Sequence, residues 1–203
     1  DDALAVRGAI YNAKEGGYIN NIQATRQLPM TNPTIAAYGD SPETRAVSRN
    51  DHLVEDNFND ATYEGFRLGM RWAPSDDWDV IVQHTSQTID TQGVWDYDPT
   101  LGDLNSVSFQ PDYAEDEFEL TTWTASGRMA NLELLYTGSY LDRKVDGISD
   151  YSGYANNGPY IPYYICNYPA YTTCGETAFF LDQYYNTERT THELRVSTDA
   201  DRR

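Results

Sequence analysis

The sequence YEGFRLGMRWAPSDDWDVIVQH, residues 63–84, holds two segments that alternate apolar and polar side chains on either side of a short acidic turn. Alternation with a period of two predicts a β-hairpin whose two faces meet different surroundings. Trp72 and Trp78 flank the turn, where an indole ring is expected if the sheet passes from hydrocarbon into lipid headgroups. A soluble hairpin would show the same alternation, so the rest of the chain decides between the two. On the first strand, Phe66, Leu68, Met70 and Trp72 oppose Gly65, Arg67, Gly69 and Arg71.

Strand-like segments recur along the chain, and their connections alternate in length. The two short connections cover residues 74–77 and 127–130, and the three long ones cover residues 19–61, 90–115 and 146–187. Loops of this length are uncommon inside compact domains, whereas outer-membrane barrels combine short periplasmic turns with long extracellular loops. The pattern therefore predicts an all-β, antiparallel transmembrane barrel segment. The predicted strands are 4–18, 62–73, 78–89, 116–127, 131–145 and 188–198.

Composition agrees with a β protein that has long polar loops. The mean hydropathy is −0.67, yet aromatic residues make up 13% of the chain, with 17 tyrosines among its 203 residues. A disordered chain would be poor in aromatics. No run approaches the roughly 20 apolar residues of a membrane helix, so a membrane role would require a barrel. The net charge of −18 argues against nucleic acid as a partner, and its simplest interpretation is a solvated acidic surface.

Two cysteines, Cys166 and Cys174, lie in a loop rich in tyrosine, proline and glycine. Their proximity predicts a disulfide that fixes the tip of the loop. A disulfide in turn implies an oxidising compartment outside the cytoplasm. A pair of metal ligands is the weaker interpretation, because neither histidine nor a third cysteine lies nearby.

Six strands are too few to close a membrane barrel, since bacterial barrels begin at eight strands. An open sheet in lipid would leave backbone N–H and C=O groups unpaired along its edges, at several kcal/mol for each group. The chain is therefore expected to be an internal piece of a larger barrel, beginning after any targeting segment.

Several stretches of the sequence resemble TonB-dependent outer-membrane receptors. They are LAVRGAIY at residues 4–11, GGYINN at 16–21, the hairpin GFRLGMRWAPSDDW at 65–78 and ERTTHELRVS at 188–197. The resemblance spans nearly the whole chain, residues 1–203, although each motif is short. It implies part of a barrel of about 22 strands that encloses a plug domain and imports a scarce nutrient. The nutrient classes it implies are an iron–siderophore complex, cobalamin, haem or an oligosaccharide.

The resemblance also implies the partners: outer-membrane lipid, a small nutrient ligand, and the energy-transducing TonB system acting through the plug. The chain contains neither a plug domain nor the short box that engages the energising partner. No cofactor is expected. No catalytic motif is present, because His52, His84 and His192 are scattered and no phosphate-binding glycine loop or serine elbow occurs. The chain is therefore predicted not to be an enzyme.

Charged residues on the polar side of the strands are expected to face the barrel lumen. Their role is either contact with plug or cargo, or mutual charge compensation in a polar interior. Arg45 and Arg49, in the first long loop, would meet an anionic siderophore or balance nearby acids. The predicted lumen-facing set is Arg7, Arg67, Arg71, Glu193 and Arg195.

The loop at residues 146–187 is the stronger candidate for ligand binding. Tyrosine offers a large contact area and a hydroxyl group, which suits a sugar or an aromatic chelate; alternatively the rings pack the loop around its disulfide. Asp96, Asp98 and Asp103 form an oxygen-rich loop, but their spacing misses the EF-hand calcium pattern, so no metal site is predicted. The candidate ligand-binding residues are Tyr151, Tyr154, Tyr160, Tyr163, Tyr164 and Tyr168.

Two other functions compete with the receptor. A secreted β-sandwich module would bind carbohydrate through the tyrosine loop, and it would bury Phe66, Leu68, Met70 and Trp72 against a second sheet. An uncoupled diffusion porin would keep the barrel without a plug. The location of the apolar face, against protein or against lipid, separates the sandwich from the barrels.

Overall fold

The computed structural model describes residues 3–27, 47–156, 169, 175–176 and 178–198. Within these residues the chain is all-β, and the only helical segments are two short 3₁₀ turns, Pro99–Leu101 and Ser152–Asn156. No helix in this part of the chain is long and apolar enough to cross a membrane. The strands are β1 (Leu4–Glu15), β2 (Asn20–Asn21), β3 (Thr25–Gln27), β4 (Val47–Arg49), β5 (Ala61–Ser75), β6 (Trp78–Gln92), β7 (Asn105–Ser106), β8 (Tyr113–Met129), β9 (Leu132–Asp150) and β10 (Phe180–Thr198).

The six long strands form one antiparallel sheet in the order β1-β5-β6-β8-β9-β10. Each long strand pairs with the next long strand along the chain, so the sheet is a simple meander. The sheet is not closed, because β1 and β10 each pair along one edge only within the described residues. The prediction of a six-stranded antiparallel sheet is confirmed.

Two tight turns connect strands at one end of this sheet, the turn end. Ser75 pairs with Trp78 around Asp76 and Asp77, after a register shift that begins at Trp72. Met129 pairs with Leu132 around Ala130 and Asn131. A two-residue loop selects primed turns that require a positive φ, and Ala130 has a φ of 56°. All the long connections lie at the opposite end, the loop end.

The predicted bounds lie within two residues of the observed ones near the turn end and differ from them by up to eight residues near the loop end. Strand β1 stops at Glu15 instead of residue 18, because Gly17 packs against the backbone of Asn57 and Asn59. The last strand begins at Phe180 instead of residue 188, and the preceding strand continues to Asp150. The start of the last strand does not alternate, because apolar and polar residues come in pairs from Phe180 to Thr187. Its backbone nevertheless pairs with β9 from Phe180, opposite Asp150, onward. The last predicted loop is correspondingly shorter.

The register explains Trp123, which breaks the alternation set by Phe118 and Leu120. Cross-strand partners lie on the same face of a sheet. Trp123 is the partner of Val82 on one side and Gly138 on the other, so it belongs to the apolar face. Its ring lies over Gly138, where an added Cβ would be 2.6 Å from the indole. Phe118 and Leu120 lie on the opposite, mainly polar face.

Candidate functional site

One face of the sheet carries an apolar band at its turn end, and we call this the band face. The band spans all six strands and its large side chains are exposed: Leu68 is 51% exposed and Ile10 88%. Monomeric soluble proteins rarely expose a contiguous apolar patch of this kind, so it marks a surface that contacts something apolar. One complete row across the sheet is Leu4, Trp72, Val80, Ala125, Tyr136 and Leu194, and the next is Val6, Met70, Val82, Trp123, Gly138 and His192.

Towards the loop end the band stops abruptly and carboxylates replace it. His84 and Tyr140 share one row across the long strands β6, β8, β9 and β10. The next row towards the loop end consists of Ser86, Glu119, Asp142 and Glu188. Two rows further on, Asp90, Glu115 and Asp146 are direct cross-strand neighbours. Like charges placed directly opposite are destabilising unless water or ions screen them. This part of the face is therefore built for contact with the aqueous medium.

The opposite face carries every arginine of the long strands, and we call it the arginine face. The two strand lysines, Lys14 and Lys144, lie on the band face. The segregation is informative because the chain as a whole is strongly acidic, with 32 acidic and 14 basic residues. The arginines that share this face are Arg7, Arg67, Arg71, Arg128, Arg143, Arg189 and Arg195.

The five residues predicted to face a lumen do share one face of the sheet. Three of them follow the charge-compensation interpretation: the Arg71 Nε lies 2.6 Å from Asp79 Oδ1, and Arg195 pairs with Glu193 on its own strand. The side chains of Arg7 and Arg67 have no ion pair or hydrogen bond within the described residues. The placement around a lumen remains a prediction.

The most deeply buried side chains lie at the loop end, in a cluster that we call the loop cap. Asn50 and Ile19 are 0% exposed and Asn59 is 1% exposed. Buried amides are stable only when they are hydrogen-bonded, and the cap meets that condition almost completely. Its buried residues are Ile19, Asn21, Ser48, Asn50, Asn59, Ser108, Phe109 and Ser152.

Asn21 and Asn50 hold three loop segments together. Asn21 Oδ1 accepts from the Ser108 N–H at 2.8 Å, and its Nδ2 donates to the Leu53 carbonyl at 2.8 Å. Asn50 Oδ1 accepts from the Ala24 N–H at 2.7 Å. Its Nδ2 donates to the carbonyls of Ile22 at 2.9 Å and Ser108 at 3.1 Å. Asn59 accepts from two backbone N–H groups, but its own Nδ2 has no partner.

Two aspartates join the cap to the ends of β8 and β9. Asp112 accepts from the Asp150 N–H and from the Ser108 hydroxyl, each at 2.7 Å. Asp150 accepts from the N–H groups of Phe109 at 2.5 Å and Ser152 at 2.7 Å. Burial raises the pKa of the Asp112 carboxyl, and the negative charges of Asp150 and Asp96 act in the same direction. Sequence inspection missed this cap, although the clustering of asparagine and aspartate at predicted strand ends was an available signal.

The tyrosine loop is described only at its base. Tyr151 and Tyr154 stack on each other, with ring centroids 5.2 Å apart and planes at 20°. The Tyr151 N–H donates to the Phe179 carbonyl at 2.8 Å. These contacts match the packing interpretation for this pair. Tyr160, Tyr163, Tyr164, Tyr168, Arg45 and both cysteines of the predicted disulfide, Cys166 and Cys174, lie outside the described residues.

One aspartate of the acidic loop after β6, Asp98, has a structural role. Asp98 Oδ1 accepts from the Thr100 hydroxyl at 2.7 Å and from its N–H at 2.8 Å, capping the 3₁₀ turn. These two bonds hold the pKa of Asp98 below its usual value. Among the described residues, no group of three or more histidine, cysteine or acidic side chains is arranged to hold a metal ion.

Comparisons with known proteins add no identification: no family model, curated protein or solved structure matches this chain. Function must therefore be argued from the two faces of the sheet and from the loop cap.

Proposed function

We propose that this chain forms part of the barrel wall of a TonB-dependent receptor in the outer membrane of a Gram-negative bacterium. The band face lies against lipid, the arginine face lines the lumen, and the loop cap projects outside the cell. The receptor takes up a scarce nutrient: an iron–siderophore complex, cobalamin, haem or an oligosaccharide. Energy reaches it from the TonB system through a plug domain outside this chain. The proposal assigns the chain no catalytic role.

The observation that carries the proposal is the apolar band. Each of the six long strands exposes at least one large apolar side chain on this face, and on β8, β9 and β10 carboxylates follow the band in a single row across the sheet. Trp72 and Trp78 lie at its lower border, beside the tight turn. An outward apolar band bordered by aromatic rings is the hallmark of a barrel wall in lipid.

The height of the band fits a bilayer. On β9 it runs from Leu132 to Tyr140, about nine residues, and a tilted membrane strand needs about 9–11. The carboxylates of Glu119, Asp142 and Glu188 begin directly beyond it. Charge inside the hydrocarbon is costly, so the sudden change from apolar to acidic supports an interface at that height.

The open edges of β1 and β10 support membership in a larger sheet. Within the described residues neither edge has a strand partner. Unpaired backbone groups cannot be tolerated in lipid, so further strands must pair with both edges. A barrel of about 22 strands would supply them.

The secreted sandwich module has no specific observation in its favour. It requires a second sheet over Phe66, Leu68, Met70 and Trp72, and no such sheet lies in the part of the chain that the structure describes. All four side chains are 40–51% exposed. The two additional small sheets, β2 with β7 and β3 with β4, belong to the loop end.

The direct test is to isolate the native protein from cells with an antibody raised against the β8–β9 hairpin. We expect it in the outer-membrane fraction, with an intact mass several times the 23.0 kDa of this chain. We also expect chemical cross-linking in cells to join it to the energising TonB protein. A secreted protein of about 23 kDa, free of membrane, would contradict the proposal.

A further inference from the structure

A glycine lies at the centre of three arginines on the arginine face. Gly69 is directly opposite Arg7 on β1, and Arg67 and Arg71 are the next residues of its own strand on the same face. Each is about 7 Å away along the strand, and Arg7 is the diagonal neighbour of both. On the other side of Gly69, its partner on β6 is Gln83. Three arginines and a glutamine are therefore the neighbours, on this face, of a position that has no side chain.

The space above Gly69 is open. A Cβ built on this glycine would meet only the Arg7 carbonyl oxygen, at 3.9 Å. Gly65, the other glycine of the same strand and face, is different: the Tyr11 hydroxyl lies 2.7 Å from where its Cβ would be. Tyr11 donates to Gln87 Oε1 at 2.5 Å and so holds its ring there. One glycine is covered by an aromatic ring, and the other is the floor of a shallow depression.

Among the described residues, no carboxylate pairs with Arg7 or Arg67 beside this depression. On this face the direct partners of Arg7 and Arg67 are Gly69, Ala9 and Thr85, none of them acidic. Asp79, the nearest carboxylate on the face by register, already pairs with Arg71. Arg7 lies one diagonal step from Arg67 and from Arg71, and the like charges of Arg7 and Arg67 repel. An anion placed between them would remove that repulsion.

We propose that the depression over Gly69 binds the oxyanion of a small ligand, a carboxylate or a phosphate. Arginine presents a planar fork of N–H donors that matches both groups. Arg7 and Arg67 are free to supply these forks, Gln83 adds an amide donor, and the absent side chain at Gly69 lets the anion approach. The site requires only the register of β1, β5 and β6, so it does not rest on the proposed membrane role.

Isothermal titration calorimetry on the native full-length protein, purified in a non-ionic detergent, tests the site. The two probes are inorganic pyrophosphate and the tricarboxylate tricarballylate, which distinguish phosphate from carboxylate recognition. We expect at least one probe to bind with a 1:1 stoichiometry. Arg7→Gln and Arg67→Gln should each weaken that binding about tenfold or more, because each removes a charge-assisted donor.

Two further variants separate a built site from general attraction to positive charge. Gly69→Leu fills the depression and keeps every arginine, and its Cβ meets only the Arg7 carbonyl oxygen at 3.9 Å, so it should abolish binding while the far-ultraviolet circular dichroism stays unchanged. Arg189→Gln removes an unpaired arginine of the same face, four strands away on β10, and should leave the affinity within about twofold of wild type.

Three results would overturn the site. The first is the absence of binding by either probe at millimolar concentration. The second is unchanged affinity in Gly69→Leu. The third is an equal loss of affinity in Arg189→Gln and Arg7→Gln, which would show that net charge alone attracts the anion.

Discussion

The two ends of the sheet differ in the kind of side chain that they expose and bury. At the turn end, large apolar side chains such as Leu68 and Met70 are exposed, whereas at the loop end the fully buried side chains include amides such as Asn21 and Asn50. A protein surrounded only by water would bury the first set and expose the second. The difference supports the proposal that an apolar environment covers the turn end, whereas the buried side chains of the loop cap are held by their own hydrogen bonds.

The largest expected effect comes from placing a charge in the band. Leu68→Arg should reduce the free energy of unfolding in bilayers by about 2–4 kcal/mol, because Leu68 lies near the middle of the band. Thr122→Arg, on the arginine face at a similar height, is the control and should change it by less than about 1 kcal/mol. Urea unfolding of the protein in bilayers measures both. Equal losses would break the distinction between the faces.

The next effect tests the loop cap. Asn50→Ala leaves the Ala24 N–H and the Ile22 carbonyl without their partner, and should reduce the free energy of unfolding by about 1–3 kcal/mol. Hydrogen exchange should show faster exchange at Ala24 and unchanged exchange in the β5–β6 pairing at the turn end. Asn12→Ala removes one exposed bond to Glu64 and should cost less than about 0.5 kcal/mol. Faster hydrogen exchange throughout the sheet would mean that the two ends do not unfold independently.

The cap should also respond to pH through Asp112. Because burial raises the folded-state pKa of Asp112 above the ordinary value of 3.8, the folded state binds the proton more tightly than the unfolded state. Its contribution therefore favours the cap at low pH and is lost as the pH rises from 3.8 through the folded-state pKa. Asp112→Asn removes the charge, keeps an acceptor oxygen for the Asp150 N–H and presents an N–H donor to Ser108 Oγ, and it should remove this dependence. Hydrogen exchange at the Asp150 N–H from pH 4 to 7 measures it.

The smallest effect concerns the tight turn of the β8–β9 hairpin. Ala130 has a φ of 56°, a conformation that costs a residue with a Cβ about 1–2 kcal/mol. Ala130→Gly should therefore stabilise the hairpin by about 1 kcal/mol after the entropy cost of glycine. Asn131→Gly, at the neighbouring position with no positive φ, should be neutral or slightly destabilising. Thermal unfolding compares the two variants, and a loss of stability in Ala130→Gly would contradict the assigned turn.

The six-stranded sheet could be predicted from the sequence and the loop cap could not. The difference has a physical cause. Period-two alternation is a local signal, and it placed Arg67 and Leu68 on opposite faces correctly. The pairing of Asp146–Asp150 with Phe180–Tyr184 depends on the neighbouring strands, because neither segment alternates apolar and polar residues. The extension of β9 and β10 was missed for that reason.

The cap and the depression over Gly69 depend on contacts between distant segments. Asn21 meets Ser108 across 87 positions of the chain, and no spacing rule anticipates such a bond. The alternation did place Gly69 and Arg67 on one face, but only the register brings Arg7 opposite Gly69. Only the position of Tyr11 shows which of the two glycines is open.

The most direct test of the central claim uses the protein's own tryptophans. Trp123 lies in the band, whereas Trp95 lies in the loop after β6, where the centroid of its ring is 6.3 Å from that of Tyr18. Single-tryptophan variants of the native protein, made by replacing every other tryptophan with phenylalanine, are reconstituted into bilayers whose lipids carry bromine in the acyl chains. If the band face contacts lipid, bromine will quench Trp123 strongly and leave Trp95 nearly unchanged. Equal quenching of both, or quenching of Trp95 alone, would contradict it.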